Sequence, residues 1–61
     1  MPTDTERLTF LGWKMADVAY MRDGGWEVSV YEADSSVDHQ YSGATLREAI
    51  DQAIEGEASR A

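Results

Sequence analysis

Thr45-Leu46-Arg47-Glu48-Ala49-Ile50-Asp51-Gln52-Ala53-Ile54-Glu55-Gly56-Glu57 is the most strongly patterned stretch of this 61-residue chain. Leu46, Ala49, Ile50, Ala53 and Ile54 recur at i, i+3, i+4, i+7 and i+8, one apolar stripe along an amphipathic helix. Thr45 stands three residues before Glu48, the capping-box spacing that satisfies the free N–H groups of a helix start. Gly43 suits a turn before the helix and Gly56 reads as its stop. Arg47, Glu48, Asp51, Gln52 and Glu55 line the opposite, mainly acidic face.

Upstream of this helix the period changes from 3.6 to 2. In Trp26-Glu27-Val28-Ser29-Val30-Tyr31-Glu32 the residues Trp26, Val28 and Val30 alternate with Glu27, Ser29 and Tyr31, as in a half-buried strand. Asp17 to Arg22 forms a second such run, and Asp23-Gly24-Gly25 between them offers the positive-φ positions of a tight hairpin connection. Asp34-Ser35-Ser36 reads as a polar turn. Val37 to Ser42 then returns as a third strand, with Val37, His39 and Tyr41 on one face.

The first sixteen residues carry two patterns. Leu8, Leu11 and Met15 fit a helical stripe that Thr3 or Asp4 would cap, whereas Leu8-Thr9-Phe10-Leu11-Gly12-Trp13 reads as a short strand. Gly12 would weaken a helix interior by about 1 kcal/mol relative to Ala, so the extra strand is preferred. Residues 1–5 and 58–61 are expected to fray. The fold expected over residues 1–61 is one α+β domain, a three- or four-stranded antiparallel sheet packed against one C-terminal helix. Leu46, Ile50 and Ile54 should meet Trp26, Val28, Val30 and either Val18 or Tyr20.

Composition removes several function classes. Twelve Asp and Glu against five Lys and Arg give a net charge of -7, a field that repels nucleic-acid phosphates. The chain has no cysteine, so disulfides, thiolate metal sites and a cysteine nucleophile are excluded. Its apolar runs are too short to span a membrane, and Met1-Pro2-Thr3-Asp4 does not read as a secretory signal. An acidic cytoplasmic domain is expected, without membrane contact or direct nucleic-acid binding. No cofactor is expected either, since phosphate-binding glycine loops and metal-ligand spacings do not occur.

Size adds a positive expectation. Below about 70–80 residues a single core rarely supplies more than about 3–5 kcal/mol, and neither a disulfide nor a metal is on hand as a staple. A homo-oligomer, most simply a two-fold dimer, would cover what the monomer leaves exposed. Trp13, Tyr20, Trp26, Tyr31 and Tyr41 are the candidate anchors of a protein interface.

Gly25-Trp26 opening a strand, followed by Tyr41-Ser42-Gly43-Ala44-Thr45-Leu46-Arg47-Glu48-Ala49-Ile50 opening a helix, resembles the small domain of HicB-type antitoxins. In that family a Gly-Trp strand start is joined to a Gly-x-Thr-x-x-Glu-Ala helix start, matched here by Gly43, Thr45, Glu48 and Ala49. The likeness covers residues 17–57. It implies a three-stranded sheet backed by one helix and, as a function, neutralisation of a toxin protein. The Pro- and Gly-rich segment of the family is replaced by Asp34-Ser35-Ser36, and neither the family's further strand nor its DNA-binding region is expected here.

Two other readings have residues behind them. Glu27, Glu32, Asp34, Asp38, Glu48, Asp51 and Glu55 could imitate a phosphate track and occupy the basic groove of a nucleic-acid-handling enzyme. His39, the only side chain whose ordinary pKa lies near neutrality, would serve a small hydrolase with Asp34, Asp38 and nearby serines. That arrangement requires three locked groups and an oxyanion hole. Strand parity turns Asp38 away from His39, so no catalytic residue is expected. Nor do Asp34, Asp38 and His39 match a metal-binding loop. The preferred expectation is a non-enzymatic, self-associating module that binds a partner protein, with a basic-surfaced protein as one candidate partner.

Overall fold

The computed structural model describes residues 1–31 and 37–60, and the side chains of Val37, Asp38 and Arg60 lie outside that description. The elements run α1 (Asp4–Lys14), β1 (Asp17–Tyr20), β2 (Trp26–Tyr31), β3 (Val37–Gly43) and α2 (Leu46–Arg60). The strands form one antiparallel sheet in the order β1-β2-β3, and α2 packs on it, an α+β fold. The sheet has three strands among the described residues, and a helix stands where a fourth strand was expected.

That helix, α1, overturns the strand reading of residues 8–13. Thr3 has an extended backbone, its hydroxyl accepts from the Glu6 N–H at 3.1 Å, and the Glu6 carboxylate accepts from the Thr3 N–H at 2.9 Å. This complete capping box has the same Thr-x-x-Glu spacing as the one read at Thr45. Gly12 lies in the last turn, where a methyl group would meet nothing within 4 Å, so its cost is not compounded by lost packing. The helix closes as a Schellman motif. Met15 takes the left-handed conformation (φ 51°), its N–H donates to Gly12 O at 3.3 Å, and the Ala16 N–H donates to Leu11 O at 3.0 Å. The buried face is also not the expected Leu8, Leu11 and Met15 stripe. Phe10 and Arg7 are buried, Leu11 is half-buried, and Leu8 and Met15 are exposed.

The hairpin forms as expected, with a shorter first strand. β1 ends at Tyr20 because the turn begins at Met21. The Gly24 N–H donates to Met21 O at 3.0 Å, the Met21 N–H donates to Gly25 O at 2.7 Å, and Gly24 sits at φ 96°. This is a three-residue loop closed by a glycine in the left-handed region. Asp23 Oδ1 steadies it by accepting from the Gly25 N–H at 3.3 Å. In β3, His39 opposes Val30 and Tyr41 opposes Val28, which puts both on the face that carries the core. A register shift between Val30 and Tyr31 sets Val37 opposite Tyr31; the face expected for its side chain falls outside the described residues.

The core comprises Phe10, Val28, Val30, Ala49, Ile50 and Ala53. Ile50, Val28 and Val30 take the expected positions, and Trp26 and Ile54 pack half-buried against them. Leu46 is 37% exposed, Val18 38% and Tyr20 63%, so these three do not fill the core as expected. The small edge of the α2 stripe, Ala49 and Ala53, faces the sheet instead, and Phe10 from α1 takes up the remaining space. Small residues let α2 lie close. A β-carbon on Gly43 would come within 2.6 Å of the Ala49 nitrogen, and one on Gly56 would run into the Tyr41 ring. Gly56 is therefore not a helix stop: α2 continues to Arg60, and the missing side chain admits the tyrosine.

Candidate protein-interaction site

Ion pairs link α1 to α2 at both ends. Arg7, 8% exposed, donates from Nε to Asp51 Oδ1 at 2.7 Å and from Nη2 to Asp51 Oδ2 at 2.9 Å, a bidentate fork. Its Nη1 donates to Asp4 Oδ1 at 2.7 Å, and Asp4 also accepts a second fork from Arg47, both contacts at 2.9 Å. At the other end of the helices Lys14 Nζ lies 3.7 Å from Glu57 Oε1. Arg7 was not legible as a core residue, because its burial depends on a carboxylate 44 positions away.

These contacts give the fold a pH window. Hydrogen bonds from Arg47 and then Arg7 hold the Asp4 carboxyl far below the usual carboxylate range, and Arg7 likewise lowers Asp51. The Thr3 backbone N–H lowers Glu6. An unfolded chain takes up these protons near the ordinary carboxylate values of about 3.9–4.3, before the folded chain does. Stability is therefore full above that range and is lost as pH falls through the depressed folded values. The Tyr31 hydroxyl donates to Asp17 Oδ2 at 2.6 Å, which raises the Tyr31 pKa. Its contribution is full below the ordinary tyrosine value of about 10 and is lost as pH rises through the raised folded one. Melting midpoints measured against pH are expected to show a plateau falling on both sides. Asp51→Asn should shallow the acid limb and Tyr31→Phe the alkaline limb; limbs unchanged in both variants would refute these assignments.

The uncovered apolar surface is large for the core it accompanies. Among the described residues six hydrophobic side chains are buried, while eight large ones are exposed: Met1, Leu8, Trp13, Met15, Val18, Tyr20, Met21 and Leu46. Four of the eight lie in or beside β1. Every residue of that strand is exposed, and among the described residues β1 pairs only with β2. Val18 and Tyr20 oppose Val28 and Trp26 and so share the helix-bearing face, but α1 packs mainly on α2 and leaves them uncovered.

The five aromatic anchor candidates do not form one patch. Tyr20 and Trp26 meet edge to face, ring centroids 5.0 Å apart. Trp13 lies on α1, 75% exposed, with Lys14 Nζ 4.5 Å above its ring. It borders a shallow groove of about 320 Å³ shared with Pro2, Thr9, Phe10 and Ile54. Tyr31 sits on the opposite sheet face against Asp17, and Tyr41 is half-buried beside α2, its hydroxyl donating to Glu57 Oε2 at 2.7 Å. Only Tyr20, with Trp26 behind it, belongs to the surface around β1. Met15, Val18 and Met21 complete that surface. Val18 was expected in the core and Met15 in a helical stripe, because nothing local distinguishes an apolar residue that finds a core from one that does not.

The acidic candidates are likewise divided. Glu27 stands on the sheet face away from the helices, within 3.4 Å of Gln40 Nε2. Glu48 and Glu55 are exposed on α2; Glu48 accepts the Ala44 N–H at 3.2 Å while its own N–H donates to Thr45 Oγ1 at 3.1 Å. Asp51 is committed to Arg7. Glu32 and Asp34 lie outside the described residues, as does the side chain of Asp38. His39 stacks on Tyr41 at 6.1 Å between centroids, and Asp34, Ser35 and Ser36, which the hydrolase reading needs beside it, are also outside the described residues. Among the described residues no three His, Asp or Glu converge as metal ligands, and no helix is long and apolar enough to cross a membrane. Compared with models of protein families, with curated proteins and with solved structures, the chain matches none.

Proposed function

We propose that this chain is a non-enzymatic protein-binding module that associates with itself, in the manner of a small antitoxin or inhibitor whose activity consists in covering a partner. The observation that carries the reading is the uncovered strand β1 with Met15, Val18, Tyr20 and Met21 in and beside it. Exposed apolar surface concentrated on one edge marks a contact site, and the six hydrophobic residues buried among those described make a modest core for a chain without cross-links. The resemblance to HicB-type antitoxins supplies toxin neutralisation as the form such binding takes.

Sedimentation velocity over a range of concentrations tests the self-association. A particle of twice 6.8 kDa is expected, dissociating only on dilution. Because its contacts are apolar, the association should change little between low and physiological salt, where exposed charges are screened beyond about 8 Å. A particle of 6.8 kDa at every concentration, still melting sharply, would refute the reading. A partner lost steeply as salt rises would favour the acidic-decoy reading instead.

A further inference from the structure

Resting on that self-association, we propose that two copies join edge to edge through β1, antiparallel about a two-fold axis at Ala19, into one six-stranded sheet. The hydrogen-bond phase of the hairpin sets this register. The Met21 N–H bonds Gly25 O at 2.7 Å, which makes Met21 and Gly25 a hydrogen-bonded pair. Antiparallel pairs alternate, so Ala19 and Asp17 direct their backbone groups at β2. Val18 and Tyr20 direct theirs outward, to the open edge. A second β1 must meet outward groups with outward groups. An axis at Ala19 provides two such pairs within the strand, Val18 with Tyr20 of the second copy and the reverse; an axis at Val18 or Tyr20 provides one.

Side-chain chemistry agrees with this register. Val18 and Tyr20, 38% and 63% exposed, become cross-strand neighbours on the helix-bearing face. Ala19 faces its own copy on the other side, where its methyl suits the narrow non-hydrogen-bonded spacing of about 4.5 Å. Asp17 falls opposite Met21 and not opposite a second Asp17, so a chain of charge -7 sets no like charges directly across the junction. The other open edge, on β3, offers less. There the same alternation turns Gln40 and Ser42 outward, both polar and exposed.

Area decides what else takes part. A stable interface buries about 800 Å² per partner, nearly a fifth of the 4338 Å² surface here, more than a four-residue strand supplies. Met21 follows the strand directly and Met15 stands two residues before it, 38% and 80% exposed, and these two extend the contact beyond the strand.

The chain has no cysteine, so Ala19→Cys carries a single thiol and, about the proposed axis, meets its copy within disulfide reach, a Cα separation of about 4.4–6.8 Å. Under mild oxidation at micromolar concentration most of the Ala19→Cys chain is expected to become a reducible covalent dimer. It should form at least about tenfold faster than the dimer of Ser42→Cys on the β3 edge. Tyr20→Glu in the cysteine-free chain should weaken the dimer at least about tenfold, the loss of one buried anchor, while the far-UV circular dichroism is kept. If the parent chain sediments as a dimer but Ser42→Cys crosslinks as fast as Ala19→Cys, self-association stands and the β1 junction is refuted. The junction is equally refuted if Tyr20→Glu dimerises like the parent. If the parent is monomeric and neither cysteine crosslinks, the self-association itself fails.

Discussion

Ile50→Ala is expected to abolish the cooperative melting of this chain. Ile50 is 4% exposed and shares the core with Phe10 from α1, Val28 and Val30 from β2, and Ala49 and Ala53 on its own helix. It is therefore a side chain on which both helices and the sheet close. Truncating a buried Ile to Ala removes its transfer free energy and leaves a cavity, together about 2–5 kcal/mol. A scaffold of this length holds about 3–5 kcal/mol in all, so the loss approaches the whole. Ile50→Val, a single-methylene deletion of about 0.5–1.5 kcal/mol, should keep a sharp transition at a lower midpoint. Thermal melts followed by far-UV circular dichroism distinguish the two. A sharp Ile50→Ala transition near the parental midpoint would show that the core is held elsewhere.

Gly43→Ala is expected to destabilise nearly as much, through the opposite fault. Its added methyl would stand 2.6 Å from the Ala49 nitrogen, 2.8 Å from the Glu48 β-carbon and 2.9 Å from the Glu48 carbonyl carbon. Two of these are backbone atoms of the first turns of α2 and cannot rotate aside. The helix must therefore lift from β3 or the strand end must bend. Overpacking of this kind costs about 1–3 kcal/mol, at the junction where the sheet passes into its helix. Gly12→Ala is the matched control. Its methyl would meet nothing within 4 Å, so it should stabilise α1 by about 0.5–1 kcal/mol. Opposite shifts of the denaturation midpoint are expected from the same chemical change, and a fall of equal size in both variants would refute the close approach of α2.

Much of the architecture was legible where the signal is local. The Thr45 and Glu48 cap, the alternation Trp26, Val28, Val30 and the Asp23-Gly24-Gly25 turn each concern residues within a few positions of one another. Each formed the element expected of it. The same capping spacing at Thr3 and Glu6 was outweighed by Gly12 and a short apolar run, and a helix formed there. That error carried forward, because a helix at α1 brings Phe10 and Arg7 to the core and changes which residues of α2 are needed for it.

The candidate site was legible only in outline. A short chain with a large aromatic load pointed to a covered surface, but the aromatic residues turned out to serve different ends. Tyr41 packs over Gly56 beside α2, Tyr31 holds Asp17 on the outer face, and Tyr20 lies on the open edge. Met15, Val18 and Met21 gained their place only when α1 settled on α2 and left β1 uncovered.

Element types along most of the chain, the antiparallel hairpin and its face of branched residues therefore belong to local propensity, turn chemistry and periodicity, which act over a few residues. The choice of Ala49 and Ala53 over Leu46 for the sheet, the burial of Arg7 and the open edge at β1 belong to packing. Each depends on a partner many residues away, and which of several apolar side chains is covered is a property of how the layers fit together in space.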